Sequence, residues 1–417
     1  MPVRSYLRLA ASQPRLLGFG FAMTFSSSIG QTFFIGAFGP SIQQEFSLSH
    51  GEWGGVYMAG TLLSAAFLPW TGAGIDRLAL GRYTALVVAA MVAAAAFMSL
   101  VPAAGLLIVA VFLLRQAGQG LASHTGTTAM ARHFGAHRGK AVALAALGFA
   151  AGETALPLLA VLAIAAVGWR AAYGGAALVL ALVLPPILWA LLRGLHLGPP
   201  QSSQSSAAAG DASDGAARSW TRREVLRDGR FYLLLPAVLA PSFVGTALFF
   251  HHLALAELKG WSAAWLTGSY WVYALGTVLA TLAAGPLIDR ISAVRVLPGF
   301  LLPLAGGLLV IWAFDDPIWA WPYLFLMGLT SGIAFTAITA LWAEAYGLDH
   351  LGAIRSLAAA ISVFASALGP AVMGGLMDGG VSVEAICLGF AFYCLIASLL
   401  LVVGLRSLAR RSLPGTS

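Results

Sequence analysis

Apolar residues along this chain gather into twelve long runs, and the charged residues fall almost entirely between them. The runs lie at about 16–41, 52–75, 83–102, 105–131, 140–167 and 171–192, and resume at 231–256, 263–288, 293–313, 317–344, 353–377 and 385–405. A helix needs roughly 20 apolar residues to cross a bilayer, and each run supplies that length. The apolar positions are contiguous rather than alternating, which argues against a transmembrane β-barrel. The pattern predicts an all-α membrane protein with twelve transmembrane helices. The stretch 194–230 differs in kind, with a Ser/Ala/Gly-rich segment from Gln201 to Gly210 and then Arg218, Arg222, Arg223, Glu224, Arg227 and Asp228. Its composition reads as a flexible polar linker with a basic end. The chain then divides into a six-helix bundle over 1–193, a cytoplasmic linker over 194–230 and a second six-helix bundle over 231–417.

Composition sharpens this. Of 417 residues 59% are apolar and only 9% are charged, against roughly 25% charged in soluble proteins. A soluble enzyme is excluded. Gly135-x-x-x-Gly139-Lys140-Ala141 is one residue short of a phosphate-binding loop and lacks its Ser/Thr. The net charge of +7 suggests nucleic acid until its placement is counted. With the N-terminus in the cytoplasm, 20 of the 23 Lys and Arg fall on the inner side, Arg170 and Lys259 fall outside, and Arg115 lies within a run. That asymmetry is a topology signal, so no nucleic-acid partner is expected. It implies cytoplasmic termini and a bacterial-type inner membrane. Arg4, Arg8 and Arg15 precede an apolar run too long for a cleaved leader, which is read as the first span. Cys387 and Cys394 are seven positions apart in one run, about 10 Å along a helix, which is too far for a disulfide. His133 and His137 have metal-ligand spacing but no third ligand nearby. No metal or cofactor is expected.

The two halves repeat one another. Gly72-Ala-Gly-Ile-Asp76-Arg77 recurs as Gly285-Pro-Leu-Ile-Asp289-Arg290, an offset of 213. His137, Gly139, Leu144 and Pro157 recur as His350, Gly352, Leu357 and Pro370 at the same offset. Six spans is an even number, so the copies run in the same sense. The bundles are therefore expected to be pseudo-symmetric, with a site between them near the midplane.

These residues resemble the major facilitator superfamily. Gly72-x-x-x-Asp76-Arg77-Leu-Ala-Leu-Gly81-Arg82 is similar to the family's loop between helices 2 and 3, with two extra residues before the Gly-Arg. Arg115-Gln-Ala-Gly-Gln119-Gly120 resembles its Arg-x-x-Gln-Gly motif on helix 4, with one extra residue. Gly148-x-x-x-Gly152-x-x-x-x-Pro157 is similar to its glycine–proline motif on helix 5. The stretch Arg132 to Lys140, with Gly168-Trp169-Arg170, resembles the monocarboxylate-transporter-like branch, although that branch's acidic, aromatic-rich first helix is absent. The resemblance implies a secondary active transporter.

Ionisable groups inside spans are expensive and are read first as functional. Arg115, on the fourth run, is the expected substrate-binding cation, with Gln31, Thr32 and Gln119 as polar neighbours in the first half. His251, His252, Trp271, Tyr273 and Ser331 are the corresponding candidates in the second. Glu153, His251 and His252 are the candidates for carrying a proton. Helical rise places Arg115 and Glu153 at similar depths, roughly 24 and 20 Å from the inner end, where they are expected to pair or to share a substrate. Gly72, Asp76, Arg77, Arg82, Asp289 and Arg290 are expected to gate, through charges that pair in one conformation and part in another. Each of these residues also has a bland reading as an interfacial anchor, a rim hydrogen bond or a static bridge. The expected function is symport of a small organic anion, such as a monocarboxylate, with a proton, by a monomer in the lipid bilayer. Efflux of hydrophobic, drug-like compounds and solute sensing without turnover stand as alternatives.

Overall fold

The computed structural model describes residues 2–195, 220–347 and 349–409. Most of the expected linker lies outside them. Among the described residues every regular element is helical. A short N-terminal helix, Pro2–Ser12, precedes the first crossing. That crossing, α1, runs Pro14–Ser26, tightens into a 3₁₀ turn at Ser27–Gly30, breaks at Gln31 and resumes at Thr32–Ala37. Eleven helices long and apolar enough to span a membrane follow. They are α2 (His50–Arg77), α3 (Leu80–Leu100), α4 (Ala104–His133), α5 (Arg138–Val167), α6 (Trp169–Leu192), α7 (Gly229–Leu258), α8 (Ala263–Ile288), α9 (Ala293–Ala313), α10 (Pro317–Tyr346), α11 (Leu351–Asp378) and α12 (Val383–Ser407). The fold is twelve transmembrane helices in two six-helix bundles. By contacts the chain forms two compact units, Met1–Ala208 and Ala209–Ser417.

In the first unit α1 sits on α5. Thr24 Oγ1 donates to Ala145 O at 2.5 Å. A Cβ added at Gly148 would run into Thr24 Oγ1 and Phe21 O, and one at Gly152 into Ser28 Oγ. The glycine–proline pattern is therefore the surface on which α5 meets α1, since only a missing side chain lets helices approach this closely. In the second unit the same device seats α10 on α8 through Gly328 and Gly332, and α11 on α7 through Gly369.

Each unit also carries an ionic clamp at the end where basic residues are sparse. In the first, Arg170 Nη2 and Nε donate to Glu45 Oε1 at 2.6 and 2.9 Å, and Trp169 Nε1 donates to Glu45 Oε2 at 2.6 Å. Arg170 also donates to Ser99 O and Val101 O at 3.0 and 2.7 Å. One side chain thus ties the short helix Gly39–Phe46 that follows the first crossing, the end of α3 and the start of α6. In the second unit Lys259 Nζ reaches Asp315 Oδ1 at 2.5 Å and Glu384 Oε1 at 3.1 Å. Glu45 and Lys259 are 214 positions apart, as are Arg170 and Glu384. The repeat has kept the clamp and exchanged its charges.

Candidate functional site

The first crossing breaks where its sequence is Ser26-Ser-Ser-Ile-Gly30-Gln31. Serine hydroxyls compete for backbone partners, and Ser27 Oγ donates to Thr24 O at 2.6 Å. Gly30 adds a second poor helix former, and Gln31 is extended at φ −85°, ψ 155°. Non-helical backbone at membrane depth is tolerated only where protein covers it or a cavity hydrates it. Here α4 covers it. A Cβ on Gly118 would lie 2.6 Å from Gly30 N, and one on Gly30 would strike Leu114 O. The two backbones touch.

At this contact α4 is itself irregular. Arg115–Ala122 is π-helical, a form that adds a residue to the turn and recurs at functional sites. The residue in excess of the family's Arg-x-x-Gln-Gly spacing is taken up there. Arg115 is 3% exposed, and its Nη1 donates to Gly30 O at 3.1 Å. Its Nε has no hydrogen-bond partner, and among the described residues no carboxylate pairs with it. The ring of Tyr57 lies 5.2 Å from the guanidinium carbon. The Tyr57 hydroxyl meets Thr32 Oγ1 at 2.5 Å. Gln119 lies within the π-helical segment and is half-buried, as are Gln31 and Thr32 at the break.

The expected pairing of Arg115 with Glu153 is not formed. No ion pair joins them among the described residues. Arg115 reaches Gly30, whereas α5 presents Gly152 to Ser28, leaving the adjacent Glu153 half-buried. Both helices nonetheless meet the same four-residue turn. Beside it an apolar cavity of about 730 Å³ opens between α1, α5 and α6, lined by Phe25, Ile29, Phe34, Leu156 and Leu159 among others. None of the predicted site residues lines it.

In the second unit, α7 is non-helical at His251. His251 Nε2 donates to Pro370 O at 2.9 Å. His252 is 1% exposed and bridges two tyrosines, Nδ1 to Tyr270 Oη at 2.8 Å and Nε2 to Tyr323 Oη at 2.6 Å. Phe249 packs against the rings of His252, Tyr270 and Tyr273. Tyr273 Oη donates to Ser331 Oγ at 2.9 Å. Tyr273, Ser331 and His252 are thus near one another. Trp271 points elsewhere: it is 46% exposed and packs edge-on to Trp321. Thr330 of α10 accepts the Leu304 amide at 2.9 Å, tying α10 to α9.

At the ends rich in basic residues, Asp76 pairs with Arg132 of α4 rather than with Arg77 or Arg82, and Arg132 Nη1 also donates to Ile75 O at 3.1 Å. Gly72 lies beside His124, and its carbonyl accepts from Tyr83 Oη. Arg77, Arg82 and Arg290 are exposed, and the Asp289 side chain is outside the described residues. In the second unit Glu344 accepts the Ala293 and Val294 amides at 2.9 and 3.2 Å, capping α9. Sequence reasoning missed Arg132 as the partner of Asp76. It also passed over Gln116, which is 7% exposed and links α4 to α2 through Ser64 and Thr71 at 2.9 and 2.6 Å. A buried Gln one residue after a buried Arg was the available signal.

Comparisons agree with this architecture. The family model of the Major Facilitator Superfamily matches residues 20–370 and 270–416. No curated protein sequence matches. The fold is similar to that of a bacterial homolog of the human lysosomal transporter Spinster, solved inward-facing and unoccupied. The TM-score is 0.74 at 15% identity, covering 97% of this chain and 100% of that one. It is also similar to the nucleoside transporter NupG, with a TM-score of 0.66 at 12% identity over 95% of this chain and 99% of that one. At these identities the likeness shows the fold.

Proposed function

Since the chain belongs to the major facilitator superfamily, and is therefore a multi-pass membrane transporter of a small solute rather than an enzyme, we propose that it moves a small organic anion, such as a monocarboxylate, together with a proton. The observation that carries this reading is Arg115. A cation withdrawn from water inside a span is costly unless something neutralises it. Arg115 spends one of its five donors on the Gly30 carbonyl and meets no carboxylate among the described residues. A substrate carboxylate supplies both the missing charge and the missing acceptors, by two parallel hydrogen bonds that match the guanidinium fork. Tyr57, Thr32, Gln31 and Gln119 surround the same point and set what else fits. Asp76, Arg77, Arg82, Asp289 and Arg290 act in gating on this reading.

Glu153 is the group we assign to the proton. It is half-buried in α5 beside the glycine that meets the turn. Loading a proton there and an anion at Arg115 makes the pair of cargoes neutral, so the occupied state crosses the apolar interior at the lower cost. His252, held between two tyrosines, is the second candidate. The protein works as a monomer with both termini in the cytoplasm, as the basic residues direct. A second reading, export of hydrophobic compounds, is favoured by the apolar cavity beside the turn. The test is uptake into proteoliposomes of labelled monocarboxylates, nucleosides and a lipophilic dye. Monocarboxylate uptake that follows an inward proton gradient and stops with a protonophore is the expected result. Movement of the dye or nucleosides alone would contradict it.

A further inference from the structure

We propose that the groove between α3 and α6 is a binding site for an anionic phospholipid of the surrounding bilayer, distinct from the solute site. The groove holds about 950 Å³ and is lined by Gly81, Thr84, Val88, Pro185, Trp189 and Arg193 among others. Its two ends differ in chemistry. One end gathers groups that recognise a phosphate. Gly81 lies in the first turn of α3, a 21-residue helix whose N-cap, Ala79, makes no side-chain capping bond. Uncapped amides at a helix start attract anions. Arg193 caps the end of α6 and stacks its guanidinium 5.0 Å from the centre of the Trp189 ring. Thr84 is 3% exposed, and its hydroxyl has no hydrogen-bond partner. No acidic residue lines the groove.

The other end is hydrocarbon, walled by small and branched side chains such as Val88, Ala89 and Ala181. A free phosphate has no use for such walls, and a neutral acyl chain has no use for Arg193 and the bare amides. An anionic headgroup joined to acyl chains uses both, and basic pockets at the inner ends of spans bind such headgroups.

The test is native mass spectrometry and thermal unfolding of the full chain in detergent. Its arms are phosphatidylglycerol, phosphatidylcholine of the same chains, and inorganic phosphate. Saturable phosphatidylglycerol binding that raises the melting temperature is expected, with little response to the other two. Arg193→Gln should weaken it at least fivefold. Ala89→Phe, which sets a ring into the groove from an exposed position, should abolish it. Equal binding of phosphatidylcholine, or full competition by inorganic phosphate, would overturn the assignment. So would phosphatidylglycerol binding unaffected by both substitutions. Binding that emerges only on deletion of residues 198–216 would give the groove to the linker and overturn it as well.

Discussion

Arg115 reaches the Gly30 carbonyl only because two glycines let α1 and α4 touch. Gly118 is therefore a sensitive position. A Cβ there would sit 2.6 Å from Gly30 N and 2.7 Å from its Cα, and overpacking against backbone costs about 1–3 kcal/mol. Gly118→Ala should lower the melting temperature in detergent by several degrees and reduce transport further, since it moves Arg115 from its partner. Gly105→Ala, where a Cβ meets nothing within 4 Å, is the control and should be near neutral. Equal melting temperatures for the two variants would show that the turn does not need this contact. Tyr57 belongs to the same residue-scale argument. It is fully buried, its hydroxyl meets Thr32 and its ring faces Arg115. Tyr57→Phe keeps the ring and drops the hydroxyl, so it should weaken substrate binding by about tenfold or less, in line with one hydrogen bond of about 1 kcal/mol, while leaving folding intact. Calorimetric titration with the substrate checks this.

At the scale of the helices, the clamps make opposite demands on pH. The Arg170 guanidinium, hydrogen-bonded to Glu45, holds that carboxyl below the usual range. Its contribution is therefore present above about pH 4.3 and is lost as pH falls through the lowered pKa. Burial opposes the Lys259 charge, but its bonds to Asp315 and Glu384 prevail and hold it above the ordinary lysine value. That contribution persists up to about pH 10.4 and is lost as pH rises through the raised pKa. Acid unfolding should accordingly be shifted by Glu45→Gln and alkaline unfolding by Lys259→Met, each leaving the other limb in place. A pH–stability profile of the two variants reads this directly. Reversing both charges of Glu45 and Arg170 should restore the pair only in part, because a carboxylate at 170 cannot donate to Ser99 and Val101. What was legible in the sequence follows the same division. Long apolar runs and the repeat gave the number and sense of the helices, because lipid leaves few other solutions. The break at Gln31, at a string of serines and a glycine, was not legible, since a helix is the default at that hydropathy. The partner of Asp76 was not legible, because Arg132 is 56 residues distant and only packing brings it near.

For the whole molecule, the Asp76–Arg132 pair is half-exposed, with side chains 57% and 34% accessible. Such pairs contribute about 0.2–1 kcal/mol, which is small for stability but enough to bias two nearly balanced conformations. Asp76→Asn and Arg132→Gln should each slow turnover severalfold with little change in solute affinity, and the double variant should be no worse than either single one. Additive losses would show that the two residues act separately. The orientation has its own check: Cys387 and Cys394 are free and buried, so cysteines introduced near Arg222 can be labelled against a quiet background. They should react only when reagent reaches the cytoplasmic face. On the proposed function, Arg115 binds the carboxylate of an organic anion. Proton-driven uptake of a labelled monocarboxylate by Arg115→Lys protein is the test, because lysine keeps the charge but lacks the planar fork. Uptake lowered at least tenfold, at unchanged expression and melting temperature, is the expected result. Uptake at the wild-type rate would contradict it and leave Arg115 as a cap on the broken helix.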